Sequence, residues 1–447
     1  MEKKYEAIKL YIKDLIKEKK LKQGQRLPAI RVLAKEHNCN KSTIIKAYSE
    51  LEAEHMIYSI PKSGYYLVEQ LEHESIEGEK IDFTKVFPHN KLLPYKEFNH
   101  CINKAVENYK QSLFSYGEAQ GLKSLRINLC EYLEKEQIFS SYENIVITTG
   151  AQQALSILCK MNFSNNKKVI LVEQPTYGVI QKLIELEGVD LIGIERDKNG
   201  IDLLKLEKIF KNENVKFFYT IPRFHNPLGT SYSEKEKRKI VDLAEKYNVY
   251  IIEDDYLADI NVNNKNLSMY YYDVYERVIY VRSFSKTFMP GIRIGAAILP
   301  KYLTKEFLKY KTCYDLNTSV LSQGALEIFI KSGMLSNHVR KVKLGYLKKM
   351  EFVKKCITSL NLEQVIQSEI FIPKTGFFIW IKIPDGINMK ILIECLNKNN
   401  VYVDEGVTFF IKEENNAKHI RLCIANLEEY EIKLGLKIIG QVIQRLL

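Results

Sequence analysis

The chain has 447 residues, 46% of them hydrophobic and 11% aromatic, with 66 Lys and Arg against 55 Asp and Glu for a formal charge of +11. That is the balance of an ordinary soluble globular protein with room for two or three domains. No apolar run approaches the roughly 18 residues that span a bilayer, the amino-terminal stretch mixes acids with bases unlike a signal peptide, and the eight cysteines are scattered without a C-x-x-C pair. A membrane anchor, a zinc site and a disulfide framework are therefore not expected; the expected location is the cytoplasm, with reduced thiols and no metal site.

The first predicted helix covers 5–19, where Tyr5, Ile8, Tyr11, Ile12, Leu15 and Ile16 form one apolar stripe. Leu27-Pro28 opens a second, Ala29 to His37, with proline near the first turn, where a missing N–H costs nothing. After Asn38-Cys39-Asn40 a third begins at Ser42 and Thr43, burying Ile44, Ala47, Tyr48 and Leu51. Two short helices joined by a tight turn predict a helix-turn-helix. The runs 57–60 and 65–68 around Pro61-Lys62-Ser63-Gly64 predict a hairpin with a basic tip.

Charge supports this division. Residues 1–68 hold 14 Lys and Arg against 8 Asp and Glu, whereas 69–79 hold five Glu and no Lys or Arg. A basic domain of this kind suits a polyanionic partner, and the acidic stretch reads as a connector. The segments RLPAIRVLA, KSTIIKAYSELEAEHMIY and PKSGYYLV, in this order, resemble the winged-helix domain of GntR-type transcription regulators. The resemblance implies that Arg26, Arg31, Lys41, Ser42, Thr43, Lys62 and Gly64 face double-stranded DNA, with Asn40 where the family often carries a second basic residue.

From Ile81 onward short apolar strands alternate with helices: 145–147, 169–172, 217–219, 250–252 and 278–281. This pattern predicts a mostly parallel sheet covered on both faces, with its ligand at the carboxyl ends of the strands. Every chemically suggestive cluster falls at such an end. Thr148 to Gln153 is a small-residue turn before a helix predicted over 154–161, and amides at a helix start bind phosphate. Tyr177 follows the second strand and can stack on a flat ring. Asn226 sits in a proline-rigidified loop, beside a His225 read as structural. Glu253-Asp254-Asp255-Tyr256 offers a carboxylate for a pyridinium or, as readily, for a metal. Last comes SFSKTFMPGIRIG, Ser283 to Gly295. Its Lys286 can form a Schiff base with an aldehyde cofactor, while Ser283, Ser285 and Arg293 can hold a phosphate dianion.

Taken together, about 80–447 resembles the fold-type I aminotransferases, and its fusion to a GntR-like winged helix resembles the MocR subfamily of regulators. The resemblance implies an N-terminal winged helix (1–68), a linker (69–79) and an α/β domain (80–447), large to about 330 and small thereafter. It implies pyridoxal 5′-phosphate in an imine with Lys286 and Asp254 at the pyridine nitrogen. Tyr177 would lie on the ring, Asn226 and Tyr256 at its O3′, and Gly150, Ala151, Gln152, Ser283, Ser285 and Arg293 around the phosphate. Tyr116 would cross to the neighbour's site in a homodimer, and Arg421 would take a substrate α-carboxylate. Val179 stands where the GABA-responsive members carry arginine, which disfavours GABA as the effector. Asp404-Glu405-Gly406 replaces the usual Pro-Gly. The expected function is a regulator sensing the cofactor, an amino acid or an amine through Lys286; the alternative is an active aminotransferase with a DNA-binding appendage.

Overall fold

The computed structural model describes residues 4–17, 25–54, 56–60, 63–67, 80–263, 265–411 and 418–447. Gly24, Pro61, Lys62, Val68 and the acidic connector lie outside the described residues. The chain divides into two units, Met1–Gly78 and Glu79–Leu447.

In the first unit, helix α1 (Lys4–Lys17) turns Ile8 and Ile12 inward, as its stripe requires. Helix α2 (Ile30–Glu36) follows Ala29 as its N-cap, and the chain reverses at Asn38, whose left-handed φ of 46° suits an asparagine. Helix α3 (Lys41–Ala53) buries Ile44, Ala47, Tyr48 and Leu51. It begins one residue earlier than the sequence suggested: Asn40 is the N-cap, so Ser42 and Thr43 lie within the first turn. Lys9 pairs with Glu50 and Glu54, tying α1 to α3. Strands Ile57–Ile60 and Gly64–Leu67 form the antiparallel wing, and Leu67 N donates to Gln25 O while Leu27 N donates to Tyr65 O. The segment before α2 thus bridges to the wing at Arg26 and Tyr66, which its sequence, ending in Leu-Pro, did not signal.

The second unit is built on an eight-stranded sheet. Its order is Ile145–Thr148, Gly295–Ile298, Val278–Ser283, Tyr250–Asp254, Val215–Thr220, Val169–Gln174, Leu191–Asp197 and Gly200–Ile201. Neighbours from Val278–Ser283 to Leu191–Asp197 run parallel, whereas Gly295–Ile298 is antiparallel to both of its neighbours. Alternation buries both faces: Phe217, Tyr219, Tyr250 and Ile252 join one core, Phe218 and Ile251 another. Near-continuous apolar strands are what a doubly covered parallel sheet demands.

A smaller antiparallel sheet orders Ile370–Phe371, Phe378–Lys382, His419–Cys423 and Asp404–Glu405. The long helix Met334–Ser359 buries Val342, Tyr346, Met350 and Val353 in the core that also holds Phe378 and Ile379 of this sheet. Ile81–Asp82 pairs in parallel with Val401–Tyr402, so the first strand of the unit lies with the smaller part. No helix among the described residues is long and apolar enough to cross a membrane.

Candidate cofactor and effector site

The carboxyl ends of the parallel strands converge on a cavity of about 290 Å³. Gly150, Ala151 and Gln152 line it beyond the first strand, with Tyr177, Asn226, Asp254, Tyr256, Ser283, Ser285, Lys286, Arg293 and Arg421 around the remainder. Tyr116 is expected at a neighbour's site and not at this one. It is 83% exposed and does not line the cavity of its own chain.

One end of the cavity is an anion cradle. The helix after Thr148 runs Ala151–Lys160, three residues earlier than predicted, because Gly150 takes φ of 79° and caps it. Ala151 and Gln152 therefore sit in the first turn, where amides lack intrahelical acceptors and the helix dipole favours negative charge. A Cβ on Gly150 would lie 3.0 Å from Arg293 Nη2, so glycine lets the guanidinium close over the turn. Arg293 itself adopts a left-handed φ of 52° just before the antiparallel strand. The Ser285 amide donates to Ser283 Oγ at 3.2 Å, fixing the loop that carries both hydroxyls and Lys286.

At the other end three consecutive acids diverge. Glu253 accepts from the amides of Met269 and Tyr270, and Asp255 is paired with Arg223 and Tyr280. Only Asp254 reaches the cavity. Tyr219 OH donates to Asp254 Oδ2 at 2.8 Å, while Oδ1 is buried with no partner among the described residues. Burial pushes the Asp254 carboxyl up to about 7, with the Tyr219 hydrogen bond and Lys286 pulling it back. A cationic ring N–H at Oδ1 would satisfy this orphan and restore the charge. The three acids face different partners, and no cluster of three or more His, Cys, Asp or Glu side chains able to hold a metal occurs among the described residues.

Burial also lowers the Lys286 ammonium, as do Arg421 and Arg293, against the raising effects of Cys423 and Asp254. The neutral amine that can attack a carbonyl is thereby favoured. Tyr177, mostly buried, receives a hydrogen bond at 3.1 Å from Gln152 Nε2. Asn226 Oδ1 accepts from Arg421 Nη1 at 2.6 Å, which leaves its amide N–H groups to donate into the cavity. Tyr256 OH donates to the Phe224 carbonyl at 2.7 Å. Arg421 also donates through Nε and Nη2 to Asp404 Oδ2, at 3.2 and 2.6 Å. Burial raises the Asp404 carboxyl, with Arg421 opposing. Amides and hydroxyls for a dianion, an orphaned carboxylate, an amide donor and a desolvated amine together fit pyridoxal 5′-phosphate.

Sequence reading missed the support behind Asn226. Glu173, at the end of its strand, accepts from Arg196, Thr220 and Tyr232 side chains and from the Ile221 amide. His225 Nε2 lies 3.1 Å from Glu173 Oε2, and its Nδ1 faces the Leu228 amide, so the neutral ring carries its proton on Nε2. Burial and Arg196 lower this histidine to about 4, which keeps it neutral and structural. One signal was available: Glu173 is the single carboxylate ending the otherwise apolar run VILV.

In the first unit, Arg26, Arg31, Lys41 and Ser42 are exposed, and Thr43 is half-buried beside them at the start of α3. A Cβ on Gly64, whose φ is 124°, would lie 3.0 Å from Arg26 Nε; the wing glycine therefore makes room for that arginine. Lys62 lies outside the described residues.

Comparison with known proteins agrees with both units. Residues 4–67 match the model for bacterial regulatory proteins of the gntR family, and residues 89–439 that for class I and II aminotransferases. The chain is 39% identical to the uncharacterized HTH-type transcriptional regulator YcxD of Bacillus subtilis, over 98% of this chain and 99% of that one. It is 27% identical to the HTH-type transcriptional regulator NorG of Staphylococcus aureus, over 92% and 98%. Among solved structures it resembles LysN, an α-aminoadipate aminotransferase of Thermus thermophilus complexed with N-(5′-phosphopyridoxyl)-L-leucine. The TM-score is 0.75 at 25% identity, covering 82% of this chain and 92% of that one. The chain thus belongs to the GntR-type transcription regulators in which a DNA-binding helix-turn-helix unit is fused to a class I and II aminotransferase domain, the MocR architecture.

Proposed function

We propose that this regulator holds pyridoxal 5′-phosphate at Lys286 and responds to a primary amine or amino acid by altering its grip on an operator. The observation that carries this reading is the orphaned Oδ1 of Asp254, a residue lining the same cavity as the desolvated Lys286 amine. When bound, the cofactor supplies an aldehyde carbon that takes up amines and a ring that withdraws electrons from it.

The chain's own groups divide the remaining work. Ala151 and Gln152 amides, Ser283, Ser285 and Arg293 anchor the phosphate, and Tyr177 packs on the ring. Asn226 donates to the ring hydroxyl oxygen, with Tyr256 beside it. Asp254 holds the charge of the ring nitrogen, and Tyr219 orients Asp254. Tyr116, exposed on its own protomer, would complete the phosphate site of a partner in a homodimer. In the first unit, Arg26, Arg31, Lys41, Ser42, Thr43 and Gly64 would face duplex DNA, a role that the family resemblance extends to Lys62. Ligand and operator communicate only if the ligand's affinity differs between states of the protein, typically by about 1–3 kcal/mol.

Lys286→Ala tests this. The variant should bind operator DNA but lose the visible band, the mass gain on borohydride reduction and the effector response. A response that survives in the variant overturns the reading. The intact set Lys286, Asp254, Tyr177, Asn226 and Arg421 also favours a second reading, a working aminotransferase. Multiple turnover with a keto acid, with no effect of the amine on DNA binding, would establish that one instead.

A further inference from the structure

Arg421 is already occupied. Its guanidinium lies over the Phe378 and Phe409 rings, 4.4 and 4.7 Å from their centroids, and its polar contacts are made along its edge. On that edge Nε and Nη2 donate to Asp404 and Nη1 donates to Asn226. Three of the five N–H donors of an arginine are spent, and its single charge is compensated. The arrangement is fixed by the sheet, because Asp404 stands directly opposite Arg421 in the antiparallel register of Asp404–Glu405 with His419–Cys423. The pair is sequestered: the arginine side chain is 7% exposed and the aspartate 26%.

A ligand carboxylate that approached Arg421 would therefore meet a second carboxylate within the same pair. We propose that Asp404 sets the ligand class of the site, so that it takes primary amines without an α-carboxylate in preference to the corresponding amino acids. This rests on the reading that Lys286 holds the cofactor. An amine leaves the Arg421–Asp404 pair intact, whereas an amino acid must bring its anion beside Asp404 or displace it. Two like charges about 4 Å apart in a partly buried site repel enough to shift affinity by on the order of tenfold or more. Asp404 is a specificity-determining residue here; it does not line the cavity and acts through Arg421.

The test uses the full-length protein loaded with pyridoxal 5′-phosphate and titrated with leucine, leucine methyl ester and isopentylamine, following the visible spectrum. The parent should favour the ester and the amine over leucine, by at least about tenfold after correction for amine basicity. Asp404→Asn should lower the amine-to-leucine affinity ratio by about tenfold, through tighter leucine, and leave the ester unchanged. Basicity cancels in this ratio of ratios. Asp404→Ala should give the same shift, and a variant that fails to load still leaves the parent's ester-to-leucine preference as a decisive measurement. Parent protein that prefers leucine to its ester, or a ratio equal in parent and variants, overturns the inference while the cofactor reading stands. A parent that acquires no visible band overturns both.

Discussion

Replacing Asp254 by asparagine separates what the buried carboxylate costs the empty domain from what it does for a ligand. The Asp254 carboxyl titrates near 7 when folded, against 3.8 for the ordinary group. Between those values the folded state keeps a proton that the unfolded state has lost, so stability falls as pH rises and the loss is complete above the folded pKa. At about pH 5.5 the retained proton contributes roughly 1.5 units at 1.36 kcal/mol each, or about 2 kcal/mol; at about pH 8.5 the contribution is gone. Asparagine cannot titrate. Urea unfolding of cofactor-free protein at the two pH values should therefore show the parent losing about 2 kcal/mol more than Asp254→Asn over that interval. Glu253, which burial and Asp255 also push up, is common to both and cancels. In the same variant the cofactor should dialyse away faster, because a neutral amide cannot balance a ring cation. Equal pH dependence in parent and variant, to within about 0.5 kcal/mol, would refute the account of a desolvated, unpartnered carboxyl.

Two further expectations concern the support and the DNA face. Glu173→Ala leaves the fully buried Arg196 side chain without its counter-charge and should destabilise the second unit by about 3–5 kcal/mol in urea unfolding; a loss below about 1 kcal/mol would mean that the network is dispensable. Lys41→Ala should reduce the salt slope of operator binding by about one unit in anisotropy titrations. An unchanged slope would show that Lys41 makes no phosphate contact.

The alternation of apolar strands with helices made the sheet readable, because a parallel sheet buried on both faces is built from near-continuous apolar runs. Site residues were readable where chemistry and position coincide: Lys286 and Arg293 follow one strand and its loop, and Asp254 ends another. What escaped reading depends on pairing across the fold. Tyr219 looks like one more core aromatic between Phe218 and Thr220, and only its place opposite Ile252 on the neighbouring strand, two residues before Asp254, brings its hydroxyl to that carboxylate. Glu173 and Arg196 are distant in sequence, and their pairing exists only through adjacent parallel strands. The helix start at Ala151 was misplaced because Gly150 looked like the middle of a turn, whereas its positive φ makes it the cap.

The occupied state of Arg421 bears on the choice between sensor and enzyme. A transaminase passes an amino group from one carboxylate-bearing partner to another, so if Arg421 took the α-carboxylate, as the family resemblance implies, each cycle would bring an anion to it twice. A sensor has no second substrate to admit; it requires only that one ligand bind its two states unequally. An aspartate held in register opposite the arginine penalises both carboxylate entries of a catalytic cycle. On the proposed reading it would leave capture of a simple amine at Lys286 untouched. The feature that narrows the ligand class therefore also weighs against turnover, and the Asp404→Asn variant should show the two effects together: as leucine affinity rises, amino transfer from leucine to a keto acid should rise with it.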